Sequence, residues 1–382
     1  MSVEFERKPL DIAAFAANLQ RHIDPAAPPP LKMMAARGMV PAPPDQQLKV
    51  LYQLHFDEAV SVEVLKALHA MPENILLPAV QGDQPASVLD WVASERDGAV
   101  VDAVVLHKNT DDRTIAHLAK TADANLCDLI SNNQVRVLRY PTIIEHLYKN
   151  TSARMATVDK LVDLAKRNDV EIPNLAGLKS VLESEEDLSE GLLDDDEFAA
   201  LLKEEAAKVK SEDAQSSSME ELTRGERERL REQLDQEDEE KVTKGGGTLH
   251  SKILQMSIAQ KVRLSTVGSK EAINILVRDS NKLIHMAAIR SPRLNAPDVK
   301  KLAGNKSMPE GVVRYIANNR DWTRHYEVMV LLVSNPKTPL PDVMGFLNHL
   351  RSKELRDLSR SKNVPQQVSR MAKTLATKRS GG

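Results

Sequence analysis

Ten histidines, one cysteine and a few acidic and glycine-containing runs are the obvious sources of chemistry in this 382-residue chain. The histidines are His22, His55, His69, His107, His117, His146, His250, His285, His325 and His349. They are scattered, with no H-E-x-x-H pair to hold two imidazoles over a metal from one helix face. His55 and His69 therefore read as packed or half-exposed helix residues. A single cysteine, Cys127, excludes a disulfide framework, a cysteine-based zinc site and a cysteine-ligated iron–sulfur cluster. Its neighbours Leu126, Leu129 and Ile130 point to a buried, inert thiol. Asp194-Asp195-Asp196-Glu197 lacks the glycine and terminal glutamate of an EF-hand loop and reads as a solvated acidic stretch. Gly177-Leu178-Lys179-Ser180 and Gly304-Asn305-Lys306-Ser307 end like phosphate-binding loops but lack the upstream glycine. G-x-G-x-x-G and G-x-S-x-G are missing. The sequence thus predicts no catalytic residue, no cofactor and no metal, and the chain is expected not to be an enzyme.

Two features point to binding instead. Lys300, Lys301, Arg314, Arg320 and Arg324 head a series of cations at helix ends and exposed-looking positions in the C-terminal half. Gathered on one face they would attract phosphates or an acidic partner; spread out they are solvated surface. Trp322, with Arg324 and Tyr326, either interleaves stacking with charge or anchors a helix. The second feature is an acidic segment in which Leu193, Phe198, Leu201 and Leu202 would line one side of a short helix able to dock in a groove. The bland alternative is a partly helical linker without a partner.

The elements that must carry these residues follow from composition and periodicity. At 41% hydrophobic residues the chain can build a packed core, while 3% aromatics argue against stacking platforms for single-stranded nucleic acid. No run of about eighteen apolar residues is present, so no membrane span is expected. The first residues, MSVEFERKPLDIAAF, carry acids and lack the apolar centre of a signal peptide. A cytoplasmic, reducing compartment is the expectation. Charge divides the chain. Residues 183–243 hold 8 basic and 23 acidic side chains, and residues 244–382 hold 25 basic and 9 acidic. The predicted domains are an N-terminal helix with a Pro-rich connector (1–45), a helical-repeat block (46–182), a largely disordered acidic linker (183–247) and a basic helical block (248–378). Ser218-Met219-Glu220-Glu221 has capping-box spacing and would start a helix inside the linker. Tethered beside a basic block, the linker is also expected to meet it intramolecularly and to compete with acidic partners.

Within the blocks apolar residues recur at spacings of three and four, as in Leu48, Leu51, Tyr52 and Leu54 or Val62, Leu65 and Leu68. Val100, Val101, Val104 and Val105 are β-branched, yet their spacing fits a helix at least as well as a strand. The fold class is all-α. Asn-containing turns recur, as in Leu106-His107-Lys108-Asn109-Thr110, Leu147-Tyr148-Lys149-Asn150-Thr151 and Leu332-Val333-Ser334-Asn335-Pro336. Aligned on Asn-Thr, the first two place Asn109 opposite Asn150. Pro then opens the next helix, and a Val two or three residues later (Val299, Val312, Val343, Val368) points into the stack.

The phrases VSNPKTPLPDVMGFL and RSKNVPQQVSRMAKTL resemble leucine-rich repeat variant units, an α-helical repeat similar in shape to HEAT repeats. The layout over about 46–180 and 249–378 also resembles a set of uncharacterised bacterial helical-repeat proteins. The resemblance implies two α-solenoid blocks acting as a non-catalytic scaffold or adaptor for partner proteins, joined here by the acidic linker. The founding repeat-variant type carries an iron–sulfur module, which Cys127 alone cannot ligate. Nucleic-acid or polyanion binding by the basic block is the alternative function.

Overall fold

The computed structural model describes residues 5–175, 193–220, 246–361 and 364–380. Every regular element among them is a helix, and none forms a strand. The valine run that could have been a strand is the helix Ala99–Leu106, with Val100, Val101, Val104 and Val105 all buried. Its β-branched side chains lose some rotamer freedom there, and burial of the apolar stripe outweighs that loss. No helix of the described residues is long and apolar enough to cross a membrane.

The chain divides into two compact units, residues 1–173 and 174–382. In the first unit Leu48, Leu51, Tyr52, Leu89 and Trp91 form the centre of a core, with Tyr52 edge-on to Trp91 at 5.7 Å between ring centroids. The expected N-terminal connector is part of this core. Phe15, Leu19, Ile23, Ala35 and Ala36 belong to the same cluster, and Pro29 and Pro30 begin the helix Pro29–Ala36. Proline breaks a helix interior, but in the first turn its missing N–H has no intrahelical acceptor to lose, so a proline run can start a helix. Residues 7–10 cross over the core: Arg7 Nε pairs with Asp90 Oδ2 at 2.7 Å, and the Tyr52 hydroxyl donates to Lys8 O at 2.9 Å.

Prolines punctuate the helix starts of both units: Pro297 and Pro341 lie in the first turns of Ala296–Gly304 and Leu340–Leu347 as expected, and others stand one residue earlier. Pro43, Pro72, Pro85, Pro309 and Pro339 are N-caps with φ between −56° and −66° and extended ψ, delivering the chain into the next helix. The valines that follow the C-terminal prolines, Val299, Val312, Val343 and Val368, are all buried as expected.

Side-chain hydrogen bonds tie helices to helices earlier in the chain. Thr114 donates to Asp90, Arg136 to His107 O, Asn335 to Ala303 O and Arg379 to Asn348 O, across separations of 24, 29, 32 and 31 residues. Contacts at one near-constant separation are what stacked repeats produce, since each pair buries its apolar stripe against its chain neighbours. The protein is all-helical and helical-repeat-like.

Within each unit, helix turns are tied to earlier turns by a residue that faces both ways. Asn335 Oδ1 accepts the Lys337 N–H at 3.1 Å, while its Nδ2 donates to Ala303 O at 2.9 Å. Asn150 repeats this, accepting from Ser152 N at 2.8 Å and donating to Ala119 O and Ala122 O. In the earlier turn the position belongs to His107, not to Asn109. His107 Nδ1 accepts from Asn109 N at 3.1 Å, which leaves Nε2 to donate to Gly82 O at 2.8 Å. Sequence alignment on Asn-Thr is therefore two residues out of structural register. Imidazole can stand in for the amide because it too offers one acceptor and one donor on opposite sides.

Candidate partner-binding groove

The acidic segment expected as linker is in part a built element of the second unit. Residues 195–220 form the helix Asp195–Glu220, which runs through Ser218 rather than starting there. Leu193, Phe198, Leu201 and Leu202 are buried, so their predicted docking partner lies within the same unit and they are not free to bind another protein. Leu193 N donates to Gln255 O at 3.1 Å, and Gln260 Nε2 donates to Leu193 O at 3.1 Å. Glu205 sits on the apolar face, 1% exposed, where Oε2 accepts Ser269 N–H at 3.0 Å and Oε1 accepts from Lys208 Nζ at 2.8 Å. Glu212 accepts Lys270 N–H, and Arg293 bonds both Glu212 and Asp213. Three carboxylates thus meet a helix start and a guanidinium, where negative charge is stabilised. Burial pushes the Lys208 ammonium down, but Glu205 and Glu204 outweigh it and hold its pKa above the usual lysine value. The remainder of the expected linker, 183–192 and 221–245, lies outside the described residues.

Of the cations singled out from sequence, the structure disperses some and gathers others. Lys300 pairs with Glu327, and Arg314 Nη2 with Glu310 Oε1 at 2.6 Å. Lys300 holds the Glu327 carboxyl below its ordinary pKa by a hydrogen bond and its charge. Lys301 is exposed on the helix Ala296–Gly304. Trp322 is half-buried, and the ring covered by a guanidinium is that of Tyr326, with Arg351 over it at 4.8 Å.

Arg320 and Arg324 are brought together. Asn319 Oδ1 accepts Asp321 N–H at 2.9 Å and starts the single turn Arg320–Thr323, which puts both arginines on the surface one turn apart. Opposite them stands the helix Leu340–Leu347, held by Val343 and Leu347 in the core. Between the two lies an open groove of about 390 Å³. Arg320, Thr323, Arg324 and His349 form its polar rim, and Met329, Gly345 and Phe346 its apolar floor. Arg379, on the last helix, donates from Nη2 to Asn348 O at 2.6 Å, next to His349 in the chain. A Cβ added at Gly345 would meet nothing within 4 Å, so the missing side chain leaves the floor open. The Arg320 guanidinium has no ion-pair partner among the described residues, and Arg324 has only Asp321 at 3.9 Å, both sides exposed. Leu340 and Met344 on the same helix are exposed but do not line the groove.

Local sequence marked the arginines but not the groove, because Arg320 and Gly345 are brought side by side only by the packing of two successive repeats. His349 carried no signal beyond its presence. No group of three or more metal-ligating side chains is gathered among the described residues. No protein family matches the chain, and no curated protein or solved structure matches it.

Proposed function

We propose that this chain is a non-catalytic, cytoplasmic scaffold or adaptor of the leucine-rich-repeat-variant and HEAT-like kind, which binds partner proteins through the surfaces of its two helical units. The observation that carries the reading is the groove at Arg320 and Arg324. It combines an apolar floor with cations that the protein itself leaves without strong partners, which is the make-up of a protein-recognition surface.

Nucleic-acid or polyanion binding by residues 248–378 is the second reading, favoured by 25 basic against 9 acidic residues in 244–382. Pairing of Arg293, Lys300 and Arg314 with carboxylates weakens it, since each pair removes a cation from any phosphate track. The test uses the full chain. A protein captured by it and then purified should form a complex of fixed stoichiometry at physiological salt, while duplex DNA binds only at low salt. Tight DNA binding with a steep salt slope, and no purified protein that forms such a complex, would replace the first reading with the second.

A further inference from the structure

We infer that the groove between the Arg320–Thr323 turn and the helix Leu340–Leu347 takes an acidic segment of a partner protein, with one large apolar side chain seated over Gly345 and flanking carboxylates on Arg320 and Arg324. The inference rests on the scaffold reading and names the partner's chemistry.

The size of the site decides first. A groove of about 390 Å³ has room for one large side chain with its neighbours on the rim. Its floor of Met329 and Phe346 rewards an apolar group, which a duplex does not offer because its base faces stay stacked inside. Charge decides second. Two guanidiniums one turn apart, one unpaired and one weakly paired, suit planar carboxylates that accept two hydrogen bonds at once. Arg320 and Arg324 both line the groove beside its apolar residues, so an occupant that meets all of them carries several side chains and is a segment.

The same unit already shows this chemistry in cis. The helix Asp195–Glu220 is held by Phe198, Leu201 and Leu202 on one face and by Glu205, Glu212 and Asp213 on helix starts and Arg293. An acidic segment with an aromatic anchor is therefore a ligand that these repeats can seat, and the groove offers a second place for one.

The probe is a fluorescent peptide with the sequence of residues 193–206, compared with the same peptide carrying Phe198→Ala and with a duplex DNA, each titrated against the full chain. Gly345→Leu fills the open floor without displacing a neighbour and places a better helix former inside a helix. Arg320→Glu with Arg324→Glu reverses the rim. Lys282→Glu with Lys306→Glu makes the same change in net charge at exposed sites outside the groove. The inference expects at least tenfold weaker peptide binding for Gly345→Leu and for the arginine pair, a similar loss for the Phe198→Ala peptide, and less than twofold change for the lysine pair. Equal losses from both charge reversals, undiminished binding to Gly345→Leu, or DNA bound in the groove in preference to the peptide would each overturn it. A purified partner protein that still forms its complex with both groove variants would overturn the groove assignment while leaving the scaffold reading in place. Circular dichroism and thermal unfolding like those of the parent chain establish that each variant is folded.

Discussion

Replacing Phe198 by alanine should cost the second unit about 3–5 kcal/mol, the range for deleting a fully buried aromatic side chain. Phe198 is 1% exposed and is flanked on the same helix face by Leu201 and Leu202 at 2% and 1%. A residue in a solvated acidic linker would change stability by no more than about 0.5 kcal/mol. The two descriptions of this segment therefore differ by several kcal/mol at one position. Urea unfolding of the full chain measures it, with the transition of the second unit shifting to lower denaturant and that of the first unit unmoved. Glu205→Ala should act in the same direction, because it strands the buried Ser269 N–H and removes one of the two acceptors of Lys208. An unchanged midpoint for Phe198→Ala would return residues 193–214 to the role of linker.

The second large effect belongs to the turn asparagines. Asn335→Ala removes the bonds to Ala303 O and Lys337 N and leaves buried backbone groups without partners, a loss of about 2–3 kcal/mol. Asn335→Asp keeps the acceptor for Lys337 N but turns a carboxylate oxygen toward the Ala303 carbonyl, so it should be no better tolerated than alanine. Asn150→Ala should behave alike through Ala119 and Ala122. Asn348→Ala is the contrast, since Asn348 is exposed and its single bond to Met344 O is 3.4 Å long, and it should be nearly silent. Thermal or urea unfolding of the four variants checks the order. Equal effects at Asn335 and Asn348 would show that the turn asparagines do not key one repeat to the next.

These two cases mark how far the sequence can be read. Helical periodicity and the Pro-then-Val pattern are local, and they led correctly to an all-α fold, to helix in the Val100–Val105 run and to burial of Val299, Val312, Val343 and Val368. The turn motif was visible, but its register was not, because His107 performs the asparagine's task with a different side chain. Proline counts suggested a connector over 24–45, yet a proline run placed in a first turn begins a helix. The linker reading failed over residues 193–214 for a larger reason. Net charge measures what a segment would do alone in water, whereas Glu205, Glu212 and Asp213 find their partners at Ser269, Lys270 and Arg293, about 60 to 80 residues away. The groove was hidden for the same reason: Arg320 and Arg324 stood out as cations, but the floor that makes them a site comes from the next repeat.

The most direct test of partner binding through this surface is site-specific photo-crosslinking from Met344. That residue is exposed on the helix that carries Gly345 and is its chain neighbour, so a benzophenone side chain there lies beside the groove without disturbing the core. The same label at Lys306, exposed and outside the groove, serves as the reference. After irradiation of the full chain with its purified partner, mass spectrometry should find cross-links from position 344 concentrated in one partner peptide rich in Asp and Glu around an aromatic or large aliphatic residue, and few from position 306. Cross-links spread evenly over both positions, or formed at 344 only with nucleic acid, would contradict the account.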